Sequence, residues 1–340
     1  MFRLPLHKNM LIIILMTLTS CGESNEQAAR QLHGFTMGTS YSITLTGDSF
    51  IDPEAVTEVL ENIENTMSTY RPDSELMILN AAPINTWIPV SSPLYEVLSI
   101  SQQVSSMTGG AFDITVAPLV NLWGFGPEVR TDGRLPSAAE IAEARSGIGY
   151  QHLQVNESNG VFKNQALELD LSAVAKGYAV DKLTALLDAL GIDNYLVEIG
   201  GELSSKGRNF RGEPWHIAIE NPQSVSTSRQ SQRIIDIENM SVASSGDYRN
   251  YDEVDGRKYS HTIDPRSGNP VSHPLVSVTV LAESTARADA LATAFNVMGT
   301  EQAMQIANEN DIAAYFLEIE EGVLVERFST AFKHYIGDNP

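Results

Sequence analysis

Three groups of residues in this 340-residue chain could do chemistry, and the first is built around Lys176. Leu167, Leu169 and Leu171 alternate with Glu168, Asp170 and Ser172 as a strand does; small residues and the lysine then set up a helical pattern that runs to Asp181 and beyond. A strand running into a helix leaves free backbone amides at the helix start, which favour anions, and Lys176 adds a positive charge one turn in. A phosphate is the natural guest, although an ordinary corner with a surface lysine reads the same way. The second group is Asp289 and Thr293, four residues apart on one face of a predicted helix among alanines. A carboxylate and a hydroxyl projecting over small side chains leave room for a hard cation such as Mg2+, and equally for a local hydrogen bond. The third is Asp113, an acid in the apolar run Ala111-Phe112-Asp113-Ile114 behind Gly109 and Gly110. The glycines allow close backbone approach, and the acid needs a partner if buried, be it a ligand, a cap or a backbone amide. Tyr70, in a loop closed by Pro72, offers a face for stacking on a planar ring or for covering the core.

The elements that must position these residues follow from periodicity. Asp52-Pro53 caps a helix with Val56, Leu60, Ile63 and Met67 on one face, and a second helix follows Ser92-Pro93. Ser137 to Glu140 is a capping box. The helix after Ala173 stops at Gly191, and Glu283 to Met298 forms the helix that carries Asp289 and Thr293. Strand patterns cover His33 to Leu45 with glycine interruptions, His152 to Asn156, Gly160 to Lys163, Tyr195 to Leu203 across a double glycine, Trp215 to Glu220 and Arg233 to Ile237. They continue at Ser241 to Ser244, Tyr259 to Ile263, Leu275 to Ala282, Ile312 to Glu318 and Gly322 to Phe328. Ser224 to Gln232 reads as a polar loop. About a dozen strands interleave unevenly with six or so helices, which is α+β rather than a regular βαβ winding. No G-x-G-x-x-G follows the first strand, so a Rossmann dinucleotide fold is disfavoured.

Composition narrows the partners. With 43 acids against 22 bases and a formal charge of -21, the chain lacks the cationic surface that nucleic acid requires. The N-terminus has a basic start at Arg3, His7 and Lys8, then the apolar run Met10 to Met16, too short to span a membrane. Leu18-Thr19-Ser20-Cys21 resembles the bacterial lipobox, with the sole cysteine at the cleavage point. We expect residues 1–20 to be a lipoprotein signal peptide, Cys21 to be acylated, residues 21–31 to form a tether, and residues 32–340 to form one domain. Gly22 is not the aspartate that commonly marks inner-membrane retention; we nevertheless expect a lipid anchor on the periplasmic side of the cell inner membrane.

Seven segments in order resemble the ApbE family. They are Thr36-Met37-Gly38-Thr39, Tyr70-Arg71, Gly110-Ala111-Phe112-Asp113, Asp170-Leu171-Ser172-Ala173-Val174-Ala175-Lys176-Gly177, Glu198-Ile199-Gly200-Gly201-Glu202, His261-Thr262-Ile263-Asp264-Pro265 and Ala288-Asp289-Ala290-Leu291-Ala292-Thr293-Ala294. Members are bacterial FAD:protein FMN transferases, usually periplasm-facing lipoproteins, which cleave FAD at its pyrophosphate, attach FMN to a threonine or serine hydroxyl and release AMP. The resemblance implies an ApbE-like, T-fold-like α+β fold of mostly antiparallel sheets with packed helices. It implies FAD contacts from Met37, Tyr70, Ala111, Phe112, Asp113, Asp170, Lys176 and Ile263, and Mg2+ held by Asp289, Thr293 and the main-chain carbonyl of Ala173. The implied acceptors are periplasm-exposed subunits of electron-transport complexes, such as the sodium-pumping NADH:quinone oxidoreductase.

The residue chemistry agrees. Pyrophosphate cleavage is mainly positioning and charge neutralisation, so one metal and one lysine are the parts to expect. The acceptor hydroxyl must lose a proton, and His261, in the turn with Asp264, is the expected base because an imidazole ordinarily titrates nearest neutrality. A capping role for that histidine is the alternative. Two other activities fit the same residues: a Mg2+-dependent FAD pyrophosphatase with water as acceptor, and a flavin-binding lipoprotein without chemistry.

Overall fold

The computed structural model describes residues 29–127, 134–223, 230–246, 251–254 and 257–336. The expected signal peptide and Cys21 lie outside the described residues, as do much of the tether and most of the polar loop after Asn221. Eight strands build the main sheet: β1 (Ala29–Thr36), β2 (Thr39–Thr46), β3 (Tyr195–Ile199), β4 (Glu202–Lys206), β5 (Ser241–Gly246), β6 (Leu275–Ala282), β7 (Ala313–Glu320) and β8 (Val323–Phe328). Their spatial order is their chain order, and every neighbouring pair is antiparallel. The molecule is therefore an antiparallel meander with insertions, the α+β class read from the sequence. β1 already pairs at Ala29, opposite Thr46, ahead of the start expected at Leu32.

The longest insertion separates β2 from β3 and carries helices α1 (Pro53–Met67), α2 (Glu75–Ala81), α3 (Ser92–Met107), α4 (Ala117–Trp123), α5 (Ala138–Ser146) and α6 (Ala175–Ala189). It also holds a three-stranded sheet of Trp87–Pro89, Gly160–Lys163 and Leu153–Asn156. The Asp52 cap on α1 and the Ser137–Glu140 capping box on α5 form as the sequence predicts. The sequence pattern does not declare α2, α4 and α8 (Thr300–Glu309); α2 and α4 are only seven residues each, too short for periodicity to show them. Between β6 and α8 lies α7 (Thr285–Met298).

α6 and α7 lie against one face of the sheet, together with the larger apolar cluster of Ile43, Val197, Ala243, Val278, Leu291 and Phe295. Their approach is close because Gly177 has no side chain: a Cβ there would meet the Thr285 carbonyl oxygen at 2.5 Å. One turn on, Asp181 of α6 caps α7, its Oδ1 accepting from the Thr285 N–H at 2.7 Å and its Oδ2 from the Ala286 N–H at 3.0 Å. The opposite face is covered by the hairpin Trp215–Glu220/Ser231–Ile237 and the C-terminal turn at Phe332, which enclose a second cluster with Tyr315 and Leu317. The sequence pattern from Tyr259 to Ile263 is not one strand. Arg257–Ser260 pairs with Tyr251–Val254, and Ile263–Asp264 pairs separately with Asn269–Pro270, leaving His261 at the break.

Candidate active site

A cavity of about 380 Å3 opens where the start of α6, the middle of α7, the end of β5 and the His261 turn converge, a size usual for small-ligand clefts. Tyr70, Ala111, Phe112, Asp113, Asp170, Ala173, Lys176, His261, Ile263, Asp289 and Thr293 all line it. Met37 is not among the lining residues. It occupies the β1–β2 turn at positive φ (49°), and its backbone N–H donates to Glu64 Oε1 at 3.0 Å. Glu64 also accepts from the Thr36 hydroxyl and pairs with Arg71, so this carboxylate ties the turn to the loop that presents Tyr70, which is 70% exposed.

Lys176, on the first turn of α6, extends along the cavity wall. Its Nζ lies 2.6 Å from Glu202 Oε1 and 3.6 Å from Asp289 Oδ2. Burial disfavours its charge, but the two carboxylates outweigh this and raise its pKa above the usual lysine range. Asp289 is buried, and its Oδ2 accepts from the Gly177 N–H at 3.1 Å, so one helix-start amide is already taken by a carboxylate. Glu202 is 4% exposed, and its Oε2 has no hydrogen-bond partner among the described residues. Burial pushes its carboxyl up to about 7 against the pull of Lys176.

Asp113 lines the cavity while spending its carboxylate on the fold. Oδ1 accepts from the Thr115 N–H and hydroxyl at 2.9 and 2.7 Å, and Oδ2 from the Tyr150 N–H at 2.8 Å. Burial raises its pKa even so. Asp170 turns back on its own chain, accepting from the Ser172 N–H at 2.7 Å. His261 meets the Phe125 ring edge-on with centroids 6.5 Å apart. The hairpin beside it is held by Trp123, whose Nε1–H donates to the Gly268 carbonyl at 2.9 Å, and by Asn296 of α7, whose amide donates to Thr262 Oγ1 at 3.3 Å. Asp264 is engaged by Arg266 at 2.9 and 3.1 Å.

Could the cavity take a divalent cation? Among the described residues no group of three or more histidine, cysteine, aspartate or glutamate side chains is placed to hold one. Ala173, Asp289 and Thr293 nonetheless all line the cavity, and a main-chain carbonyl, a carboxylate and a hydroxyl are an all-oxygen set suited to a hard ion that shares its remaining positions with phosphate and water. The donors fit Mg2+.

The ApbE family model matches residues 37–316. The chain belongs to the ApbE family. It is 42% identical over 328 residues to the FAD:protein FMN transferase of Vibrio cholerae, covering 95% of this chain and 96% of that protein. The FAD:protein FMN transferase of Haemophilus influenzae is 37% identical over 334 residues, again with 95% and 96% covered. The solved flavin transferase ApbE from Vibrio cholerae superposes with a TM-score of 0.84 at 40% identity, covering 91% of this chain and all (100%) of that one.

Residue chemistry alone does not single out Glu202, Asn296, Trp123 or Asp181. Glu202 has a signal, an acid directly after two glycines in a strand; Asn296 has one too, an amide in an alanine-rich helix. Trp123 and Asp181 carry none, because their partners lie 145 and 104 residues away.

Proposed function

We infer that this chain is a FAD:protein FMN transferase, and that Mg2+ bound at Asp289, Thr293 and the Ala173 carbonyl supports the reaction. The observation that carries the inference is the convergence of Lys176, Asp289, Thr293 and His261 on one cavity in a member of this family. Lys176 faces the pyrophosphate of FAD, while Tyr70, Phe112 and Ile263 supply apolar surface for the rest of the dinucleotide. Bound Mg2+ would neutralise charge on the phosphate oxygens. The acceptor serine or threonine oxygen attacks the phosphorus on the FMN side, its proton passes to His261, and the bond from that phosphorus to the bridging oxygen breaks. AMP leaves with the electron pair.

The acceptor in this reading is a subunit of an electron-transport complex exposed to the periplasm, the sodium-pumping NADH:quinone oxidoreductase or a relative. The enzyme is anchored by lipid on Cys21 to the periplasmic side of the inner membrane. Support for the anchor is the N-terminal sequence alone, Leu18-Thr19-Ser20-Cys21 behind a basic start and an apolar run. Globomycin should leave an unprocessed precursor, and unchanged processing removes the anchor.

Mass spectrometry of the protein incubated with FAD, Mg2+ and an acceptor fragment tests the reaction. One FMN on the acceptor, with equimolar AMP and loss of both on adding chelator, is the expected result. Conversion of FAD to free FMN and AMP without labelling would make the enzyme a pyrophosphatase. FAD that stays bound and intact would make it a carrier.

A further inference from the structure

Lys176 sits between two buried carboxylates in an arrangement that leaves one acceptor unused. Its ammonium is hydrogen-bonded to Glu202 Oε1 at 2.6 Å and lies 3.6 Å from Asp289 Oδ2, an ionic approach rather than a hydrogen bond. Glu202 Oε2 is buried with no partner among the described residues, an omission that usually costs stability and asks for a reason. Glu202 itself is fixed: it begins β4 directly after Gly200 and Gly201, both at positive φ (61° and 105°). A Cβ on Gly200 would clash with Thr39 at 2.8 Å, and Lys176 Cδ lies 3.5 Å from the same point, so the lysine stem packs against the glycine turn at ordinary contact distance. The ammonium is held by the two carboxylates, at 2.6 Å from one and 3.6 Å from the other.

We propose that Glu202 is the positioning residue for Lys176, and that the ammonium and a divalent cation compete for Asp289, with Glu202 as the berth to which the ammonium withdraws. The proposal rests on reading Asp289 and Thr293 as metal donors. Without a metal, the ammonium offsets the charge of both acids. When a dication occupies Asp289, repulsion drives the ammonium away; Glu202 keeps it in the cavity, and the spare Oε2 accepts the N–H that Asp289 no longer attracts. The cavity then holds both a metal and a lysine cation facing the phosphates, instead of expelling one to admit the other.

The test is Mg2+ affinity of the flavin-free full-length protein by calorimetry, repeated with Mn2+ by electron paramagnetic resonance. K176Q should bind Mg2+ about tenfold tighter and E202Q about tenfold more weakly, the range expected for a single charge within a few ångströms. The double variant separates positioning from direct contact. If Glu202 acts through the lysine, the loss from E202Q should shrink in the K176Q background to what the direct charge of Glu202 near Asp289 accounts for, clearly less than in the parent protein. An undiminished loss there would make Glu202 a metal ligand and overturn the proposal, as would K176Q without tighter binding. D289N tests the underlying reading independently, since retention of full Mg2+ affinity would show that the metal does not use Asp289. Thermal unfolding of each variant checks folding, and K176M replaces K176Q if the latter does not fold.

Discussion

On the outer face of the sheet, Arg233 from the added hairpin and Glu326 from β8 form a largely buried ion pair; on the inner face, Lys176 and Glu202 form another. The outer pair is complete. Arg233 donates to Glu326 Oε2 at 2.6 and 3.2 Å, Gln232 donates to Oε1 at 2.5 Å, and the guanidinium lies over the Phe328 ring at 5.2 Å. Burial alone would raise the Glu326 carboxyl, but these hydrogen bonds and the arginine charge hold it below its ordinary range. The inner pair keeps one carboxylate oxygen unpartnered among the described residues, a second acid 3.6 Å from the same ammonium, and a glutamate pushed upward. Packing differs in the same direction. The outer face stacks Tyr315, Phe328 and Phe332 at centroid distances of 5.1 to 5.8 Å, whereas α7 presents a run of alanines that admits Asp289, Thr293 and Asn296 to the interior. Tyr315 Oη on the outer face is buried and unpartnered among the described residues too, but it lies in an aromatic stack, whereas the unpartnered Glu202 oxygen belongs to a residue that lines the cavity.

Substitutions should therefore separate activity from stability according to face. Asp289→Asn should lower transfer about a thousandfold by removing the charged metal donor, with unfolding in metal-free buffer little changed. Equal losses of stability and activity would erase the contrast. His261→Ala should lower kcat by about a hundredfold or more at saturating FAD, the usual worth of a positioned base. Normal transfer by that variant would leave the histidine a structural part of its turn. On the outer face, Phe332→Ala should cost roughly 3–5 kcal/mol in denaturant unfolding, because its fully buried ring leaves a cavity, while activity per folded molecule stays the same.

Acid titration gives the smallest and sharpest comparison, because the two glutamates carry opposite signs. Glu202 is raised in the fold from 4.5 to about 7, so the folded protein keeps a proton that the unfolded chain has lost. Its contribution to stability is present below pH 4.5 and disappears as pH rises through about 7. Glu326 is lowered from 4.5, so its contribution is present above that pH and lost as pH falls through its folded value. In metal-free unfolding at a series of pH values, Glu202→Gln should flatten the decline between pH 4.5 and 7, and Glu326→Gln should soften the loss in acid. The same pH profile for both variants would mean that the two pairs do not differ.

Much of the inner face is legible in the amino-acid sequence. The helix start at Lys176, the Asp289 and Thr293 pair on one helical face, the capped start of α1 and the capping box of α5 are all written within a few residues of chain, whereas Leu167 to Ser172, which alternate as a strand does, join no sheet and lead into α6 as irregular chain. Periodicity and capping are local, so they can be read without knowledge of the fold. The alternation at Tyr259 to Ile263 misleads for the same reason: it is the pattern of a strand, but pairing partners divide it and set His261 at the break. Which of these residues come together is settled by the fold. Ile43 pairs with Val197 across 154 residues, Glu202 reaches Lys176, Asp181 caps α7, and Trp123 holds the hairpin beside His261, while Met37 is turned to Glu64 instead of the cavity. Such contacts depend on loop closure and on burial of one sheet face against two helices, free energies that belong to the assembled chain and leave no mark on a short window of residues.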